Sequence, residues 1–257
     1  MAKAGKRYMG QNFLISTTVA EAEAAHAHGK TVLEIGPGKG ILTKELCKVA
    51  KRVIAVEKDT KLFAVLGAAL QYKNLTLVNR DFFLAAPDEL GLGKVDIVIA
   101  NVPYSMSSKI IVWLREHGLE AVLCLQKEFV EHMLAREDTS SYSRLSVMCA
   151  LSFRITEIMN VPRSSFRPIP GVDSEVIFLK PGKQGITRQE DLIINLLMQH
   201  KKKTLRNAIL DSKEELGVGS KDISRFIEGN DCSQRVFKMS PERILGVAKG
   251  LAALQKL

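Results

Sequence analysis

The chain has no run of apolar residues long enough to cross a membrane. A membrane helix needs about 20 continuous, mainly apolar residues, and no segment of the 257 residues approaches that length. The opening segment is basic and polar, and no apolar run with a small-residue cleavage site follows it, so no secretory signal peptide is expected. These absences predict a soluble protein that works in the cytoplasm.

Cysteine is scarce and histidine is scattered. The four cysteines form no CxxC pair, and their spacing fits neither a zinc site nor a disulfide framework. Among the five histidines only His26 and His28 are close in sequence, and side chains two residues apart on a helix point to different faces. The sequence therefore predicts reduced, buried thiols and no metal site.

Acidic residues are outnumbered by basic ones. The chain carries 37 lysines and arginines against 28 aspartates and glutamates, which gives a net charge of +9. An excess of this size favours a polyanionic partner. The positive charge is also clustered, with Lys3, Lys6 and Arg7 near the first residue and a second group at residues 201–206. This clustering strengthens the interpretation.

Short apolar segments alternate with helical patterns over the first half of the chain. Runs such as TVLEI and RVIAV are typical of buried parallel strands. The predicted strands are residues 31–35, 52–56, 75–79, 95–100 and 121–126. The predicted helices are residues 17–29, 41–50, 60–71, 108–116 and 129–136. This alternation predicts an α/β fold with a Rossmann-like, doubly wound, mostly parallel sheet covered by helices on both faces.

The second half of the chain follows a different pattern. Residues 147–153 and 174–179 are candidate strands, and the prolines between them favour a closing, hairpin-like edge. The segment PGKQG at residues 181–185 is the best linker. The predicted helices after it are residues 191–207, 220–228 and 241–254. We therefore expect a sheet domain at residues 1–180 and a small all-helical domain at residues 181–257.

Glycines after the first predicted strand form a candidate cofactor loop. The segment GPGKG, from Gly36 to Gly40, reads GxGxG rather than the GxGxxG of dinucleotide-binding folds. Glu57 follows the second strand, 21 residues after Gly36, where a carboxylate can accept two hydrogen bonds from ribose hydroxyls. Asp81 follows the third strand, where it is placed to accept from an adenine amine while Phe82 covers the ring. Together these strand ends favour S-adenosylmethionine, an adenosine whose far end is not a phosphate.

The fourth predicted strand ends in the tetrapeptide NVPY. The exocyclic amine of adenine is a poor nucleophile because its lone pair is delocalised into the ring. A methylase can assist it with acceptors placed where positive charge develops in the transition state. The side-chain oxygen of Asn101 and the backbone carbonyl of Val102 are the candidate acceptors. Pro103 fixes the backbone of the turn, and Tyr104 offers a ring on which an extruded base can stack.

Several segments together resemble one known family. They are GQNFL at residues 10–14, LEIGPGKG at 33–40, VEKD at 56–59, NVPY at 101–104, YSRLSV at 142–147, FRPIPGVDS at 166–174 and HKKKTLRN at 200–207. In this order they resemble the ribosomal RNA adenine dimethyltransferases of the KsgA/Dim1 group over nearly the whole chain. The departures from the family pattern, at Val102, Lys109, Ser143 and Gly171, remove no proposed catalytic group.

The resemblance implies a reaction and a set of residues. The reaction transfers methyl groups from S-adenosylmethionine, leaving S-adenosylhomocysteine, to two adjacent adenosines near the 3' end of small-subunit rRNA, with a role in subunit biogenesis. The candidate cofactor-binding residues are Gln11, Asn12, Leu14, Gly36, Gly38, Glu57, Lys58, Asp81, Phe82 and Asn101. The candidate catalytic residues are Asn101, Pro103, Tyr104 and Phe166. Phe166 either stacks on the second face of the base or is a core aromatic.

Basic residues supply candidate RNA contacts. They are Lys6, Arg7, Arg163, Arg167, Lys201, Lys202, Lys203 and Arg206. Lys202 and Arg206 are four residues apart in a predicted helix, so they would share a face that can follow a phosphate backbone. We expect the residues 1–180 to bind the cofactor and catalyse, the residues 181–257 to bind RNA, and one continuous footprint to cross both domains. The expected assembly is a monomer that acts on the small ribosomal subunit.

Three other functions remain open on the sequence. The first is that of the erythromycin-resistance type of methylase, which shares the fold and an NxPY turn but modifies large-subunit rRNA. The second is that of a non-catalytic ribosome-assembly factor that binds RNA, and the third is that of a DNA adenine methylase. The segments HKKKTLRN and GQNFL favour the small-subunit enzymes, and the presence of Asn101, Tyr104, Glu57 and Asp81 favours catalysis.

Overall fold

The structure, a computed structural model, describes residues 12–86, 88, 90–182 and 185–255. Its contacts divide the chain into two units. Of the described residues, the first unit holds those up to Phe129 together with Ile155–Pro181, and the second holds Val130–Arg154, Gly182 and residues 185–255.

The first unit is built around a sheet. The strands, in chain order, are β1 (Phe13–Leu14), β2 (Thr31–Ile35), β3 (Arg52–Glu57), β4 (Leu75–Asn79), β5 (Ile97–Asn101), β6 (Glu120–Gln126), β7 (Phe153–Val161), β8 (Phe166–Arg167) and β9 (Ser174–Pro181). Among the described residues, seven of them form one sheet in the order β4-β3-β2-β5-β6-β9-β7, and β1 pairs with β8 separately. Strands β2 to β6 pair in parallel, whereas β9 runs antiparallel to β6.

The order of the strands places a ligand crevice. After β2 the chain adds β3 and β4 on one side, and it then returns to add β5 and β6 on the other side of β2. In an open α/β sheet, ligands bind at such a reversal, outside the carboxyl ends of the strands. The central strands are buried on both faces, as apolar runs in a helix-covered sheet should be. The predicted Rossmann-like, mostly parallel sheet is confirmed.

Helices connect the strands and begin at recognisable caps. The helices of this unit are α1 (Thr17–Ala24), α2 (Ile41–Val49), α3 (Thr60–Ala69) and α4 (Ser107–His117). Helix α5 (Lys127–Met133) crosses the boundary between the two units in sequence. Asp59 caps α3, since its Oδ1 accepts from the backbone N–H groups of Lys61 at 2.8 Å and Leu62 at 3.0 Å. Gly118 ends α4 in the left-handed conformation that glycine favours.

The second unit is helical. Its helices are α6 (Arg144–Ser152), α7 (Arg188–Gln199), α8 (Leu205–Asp211), α9 (Lys213–Leu216), α10 (Ser220–Glu228) and α11 (Pro241–Leu254). The apolar faces of α6, α7 and α11 share one core. At its edge Arg144 donates to both carboxylate oxygens of Asp191, and the buried hydroxyl of Tyr142 donates to the carbonyl of Met239 at 3.0 Å.

The predicted strand at residues 147–153 is wrong. The structure has helix α6 there, and Ser143 and Ser146 form a capping box at its start. Six of its nine residues are buried, so the segment carries no helical periodicity that could separate it from a buried strand. Strand β7 begins only where α6 ends, at Phe153.

The predicted helix at residues 191–207 is also wrong as a single element. Helix α7 ends at Gln199, and a turn leads to Thr204, whose hydroxyl caps α8 by accepting from the backbone N–H of Asn207. The division at residue 180 needs correction as well. Val130–Arg154 belongs to the second unit, because α6 packs into the core of α7 and α11.

The described residues meet neither the requirements of a membrane span nor those of a metal site. No helix in the described ranges is long and apolar enough to span a bilayer. All four cysteines are buried and free of disulfides, and the described residues contain no cluster of histidine, cysteine and acidic side chains that could hold a metal ion.

Candidate active site

A cavity lies at the carboxyl ends of the parallel strands. Its lining comprises Asn12, Phe13, Gly36, Gly38, Glu57, Leu62, Asn101, Val102, Pro103, Tyr104, Cys124, Phe166 and Ser174. The structure thus brings together predicted site residues from separate parts of the chain, including the glycine loop, the end of β3 and the turn after β5. The sequence did not single out Phe13, Leu62, Cys124 and Ser174 as site residues, although Phe13 lies within the GQNFL motif.

Two glycines of the cofactor loop adopt backbone conformations that a side chain would oppose, and at Gly38 a side chain would also collide with Phe13. Gly38 has a φ of +57°, and a Cβ built on it would lie 2.9 Å from the Cδ1 atom of Phe13. Gly36 also has a positive φ, of +69°. Such backbone is strained for any other residue. The loop therefore exposes bare backbone to the cavity, as close approach to a ligand requires.

Glu57 ties the glycine loop to the end of β3. Its Oε2 accepts from the backbone N–H of Gly38 at 3.2 Å, and its Oε1 accepts from that of Asp59 at 2.8 Å. The residue is 4% exposed and lines the cavity. Since each carboxylate oxygen can accept more than one hydrogen bond, Glu57 keeps acceptor capacity for the hydroxyls of a ligand.

Asn101 contacts a buried acid that motif spacing did not reveal. Its Nδ2 donates to the Oε2 of Glu23 at 3.1 Å. The Oδ1 of Asn101 is buried, and it has no hydrogen-bond partner in the described part of the chain. Glu23 is fully buried on α1, four residues after the buried Val19, so helical spacing from Val19 is a signal that could have found it.

Aromatic side chains also line the cavity. The hydroxyl of Tyr104 lies 3.1 Å from the Oγ of Ser174, and burial raises the pKa of Tyr104 above its ordinary value. Phe166 is 4% exposed and lies in β8, opposite Leu14 of β1. Pro103 and the buried Val102 also line the cavity.

Four of the predicted cofactor residues lie elsewhere. The Nζ of Lys58 donates to the Oδ2 of Asp81 at 2.6 Å, and this bond holds the pKa of Asp81 below its ordinary value. Phe82 is buried with its ring centroid 4.7 Å from that of Trp113, and Leu14 lines a smaller neighbouring cavity. Gln11 lies outside the described residues, as do Lys6 and Arg7.

The basic residues at positions 201–206 differ in their contacts. Lys201 donates to the carbonyls of Ser140 and Tyr142, and Lys203 pairs with Asp211 at 2.7 Å. Lys202 and Arg206 are exposed. They do not share a helix face as expected, because Thr204 starts a new helix between them.

Two further predicted RNA contacts, Arg163 and Arg167 of the first unit, are exposed. The backbone N–H of Arg163 donates to the Oδ1 of Asp173 at 2.8 Å. The guanidinium of Arg167 donates to the carbonyls of Ser164 and Phe166.

Burial of two acids predicts a pH-dependent stability. Burial raises the pKa values of Glu23 and Glu34 from 4.5 to about 8. Between these values the folded chain holds protons that the unfolded chain releases, so the free energy of unfolding should fall as the pH rises from about 4.5 to about 8. With about 1.36 kcal/mol for each pKa unit, the expected loss is on the order of several kcal/mol.

Urea unfolding of the Glu34→Gln variant at about pH 5.5 and about pH 8.5 checks this prediction. The variant buries no charge at position 34, so its stability should fall less than that of the unmodified chain. Glu21→Gln, which changes an exposed acid, should leave the fall unchanged. Equal falls in all three proteins would contradict the prediction.

Comparison with known proteins identifies the family. The family model described as ribosomal RNA adenine dimethylase matches residues 2–249. The chain belongs to the ribosomal RNA adenine dimethylase family. This confirms the family resemblance, the enzymatic activity as a methyltransferase and S-adenosylmethionine as the cofactor of the family.

Individual members of the family match over most of the chain. A protein of Thermococcus gammatolerans described as a probable ribosomal RNA small subunit methyltransferase A is 36% identical over 248 residues, covering 94% of this chain and 87% of the relative. A protein of Methanopyrus kandleri with the same description is 36% identical over 260 residues, covering 96% and 92%.

Two solved structures are similar to this chain over most of its length. A dimethyladenosine transferase from Plasmodium falciparum superposes with a TM-score of 0.78 at 29% identity, covering 91% of this chain and 95% of that chain. The 23S rRNA methyltransferase ErmE superposes with a TM-score of 0.64 at 24% identity, covering 93% and 99%. The second likeness concerns the fold alone.

Proposed function

We propose that this protein dimethylates two adjacent adenosines near the 3' end of small-subunit rRNA, with S-adenosylmethionine as the donor. The observation that carries the proposal is the buried Oδ1 of Asn101, which has no hydrogen-bond partner among the described residues and belongs to a residue that lines the cavity together with Gly38 and Glu57. A buried acceptor without a donor is costly, so the site favours a substrate that brings an amine N–H. The descriptions of the two archaeal relatives support the small subunit as the source of the RNA.

The cavity fits the proposed cofactor. Bare backbone at Gly36 and Gly38 permits close approach, and Glu57 has acceptor capacity for two ribose hydroxyls. Asn12 also lines this cavity. When bound, S-adenosylmethionine supplies a methyl group on a sulfonium, which is already an activated donor.

The chain's own part in the reaction is positioning and hydrogen bonding. The Oδ1 of Asn101 and the carbonyl of Val102 would accept from the adenine amine as it becomes positive in the transition state. Tyr104 and Phe166 would hold the two faces of the extruded base, each stacking contact contributing about 1–3 kcal/mol. Placing the adenine amine in line with the methyl group and the sulfonium would supply much of the remaining reduction of the barrier. The proton that the methylated amine then carries in excess would leave to water.

The exposed cations would bind the phosphate backbone. Lys202 and Arg206 in the second unit and Arg163 in the first are exposed, and the net charge of +9 favours a polyanion. Catalysis is assigned to the first unit and RNA binding chiefly to the second. The protein would act as a monomer in the cytoplasm, on the small ribosomal subunit.

Reversing the charge of Lys202 tests this RNA surface. Lys202→Glu and the double variant with Arg206→Glu are expected to weaken binding to small-subunit rRNA progressively. The slope of log K against log salt should fall by about 0.7–0.9 for each phosphate contact that is lost. Filter binding over a salt series measures both. Lys221→Glu, on α10, is the matched control, because it changes an exposed lysine of the same unit. Binding and slopes equal to those of the control would refute the surface.

The function itself is tested by methylation of purified ribosomal subunits. Unmodified small and large subunits are incubated with the protein and S-adenosylmethionine, and the rRNA is analysed by mass spectrometry. The proposal predicts two neighbouring dimethyladenosines near the 3' end of the small-subunit rRNA. Methylation confined to the large subunit would assign the erythromycin-resistance type of activity, and RNA binding without methylation would assign a non-catalytic assembly role.

A further inference from the structure

A buried acidic side chain accepts a hydrogen bond from the proposed catalytic asparagine. Glu23 lies on α1 and has no exposed surface. Its Oε2 accepts from the Nδ2 of Asn101 at 3.1 Å, across 78 residues of sequence. Its Oε1 is buried and has no partner among the described residues. An acid placed so deeply is costly to fold, so its presence at this position calls for a role.

The contact determines which end of the Asn101 amide is left without a protein partner, since Nδ2 bonds Glu23 and Oδ1 has no partner in the described ranges. An ionised carboxylate can only accept hydrogen bonds, so it binds the amide through Nδ2 and leaves Oδ1 free. A protonated carboxyl can also donate, and it can then hold Oδ1 instead. The flipped amide would present N–H groups to the adenine amine, which would remove the acceptor that the transition state needs.

We propose that Glu23 is a positioning residue for methyl transfer, whose carboxylate holds the amide of Asn101 with Oδ1 towards the substrate amine. The inference rests on the proposed catalytic role of Asn101. It assigns Glu23 no contact with the substrate or the cofactor, since Glu23 is absent from the residues that line the cavity in the described ranges.

The surroundings of Glu23 make its charge sensitive to pH. Burial raises the pKa of Glu23 to about 8, and the hydrogen bond from Asn101 opposes this effect. The titratable groups that face it are Glu34 from β2 and Cys124 from β6, and Cys47 of α2 lies in the core that α1 packs against. A negative charge on Glu23 in turn helps to raise the pKa of Glu34. Methyl transfer should therefore rise as the pH passes through about 8.

The Glu23→Gln variant separates this role from a structural one. Glutamine keeps the size of the side chain, but its amide can accept from Asn101 or donate to it at any pH. We expect the single-turnover rate of the variant to lose the step near pH 8 and to fall about two- to tenfold below the unmodified enzyme at about pH 9. The KM values for S-adenosylmethionine and RNA should change less than about twofold. The control is Glu21→Gln, an exposed acid on the same helix, which should keep the step.

If the Glu23→Gln variant does not fold, an NMR titration of the unmodified chain still tests the inference. The side-chain amide resonances of Asn101, assigned by their loss in Asn101→Ala, should shift with a midpoint near pH 8. A wild-type step in Glu23→Gln, or amide resonances that do not titrate between about pH 6 and pH 10, would overturn the inference. Failure of the proposed function would look different, because the unmodified enzyme would then not methylate rRNA at any pH.

Discussion

Replacing Asn101 by alanine is expected to lower the rate of methyl transfer by about 10²–10³-fold, the usual effect of removing one transition-state hydrogen-bond partner. The variant loses the Oδ1 that accepts from the adenine amine. The glycine loop and Glu57 do not depend on this side chain for their own hydrogen bonds. Affinity for S-adenosylmethionine and for rRNA should therefore change by less than about threefold.

Single-turnover methylation with labelled S-adenosylmethionine measures the rate, and calorimetry measures cofactor binding. Asn230→Ala, which alters an exposed asparagine of the second unit, is the matched control and should have normal activity. A rate for Asn101→Ala within about threefold of the control would show that another group accepts from the amine. Loss of cofactor binding would instead place Asn101 in the binding site alone.

Replacing Glu57 by alanine is expected to have the opposite pattern, with weak cofactor binding and a nearly normal maximal rate. The carboxylate has capacity for two ribose hydroxyls, and a hydrogen bond to a charged group contributes about 1.5–3 kcal/mol. The variant also loses the bond that holds the N–H of Gly38, so the loop is less ordered before binding. The dissociation constant for S-adenosylmethionine should rise about 10²-fold or more.

A graded series sharpens this prediction. Glu57→Gln keeps one acceptor oxygen and should raise the dissociation constant only about tenfold, whereas Glu21→Ala, which removes an exposed acid from α1, should not change it. Titration calorimetry gives the constants, and the rate at saturating cofactor completes the test. A low maximal rate with unchanged cofactor affinity would show that Glu57 does not hold the ribose.

Much of the sheet could be predicted from local sequence. The bounds of β2 and β4 and those of α10 and α11 agree with the predicted segments, because apolar runs between turn residues and capped helices carry strong local signals. Helix α6 lacked such a signal, since its buried residues show no period. The break at Thr204 was missed because a helical pattern continues on both sides of the capping threonine.

Some residues of the site could be predicted from local sequence, and others could not. Gly36, Glu57 and Asn101 were predicted because each lies at the end of a strand, and parallel strands bring their carboxyl ends to one edge of the sheet. Ser174 and Glu23 were missed because their partners, Tyr104 and Asn101, lie 70 and 78 residues away in sequence. Motif spacing does not report such contacts.

The amino-acid sequence by itself determined the α/β architecture, the family and the strand-end groups of the cavity, since these depend on hydrophobic periodicity and short motifs. Only the tertiary structure decided that Glu23 accepts a hydrogen bond from Asn101 and that Lys58 pairs with Asp81. It also decided that Lys202 and Arg206 lie on different elements. The physical reason is that hydrogen-bond partners and the loss of solvent are set by segments distant in the chain. Glu21 and Glu23 lie two residues apart on one helix, yet the first is exposed, whereas the second is buried with a raised pKa and accepts a hydrogen bond from Asn101 at the end of β5.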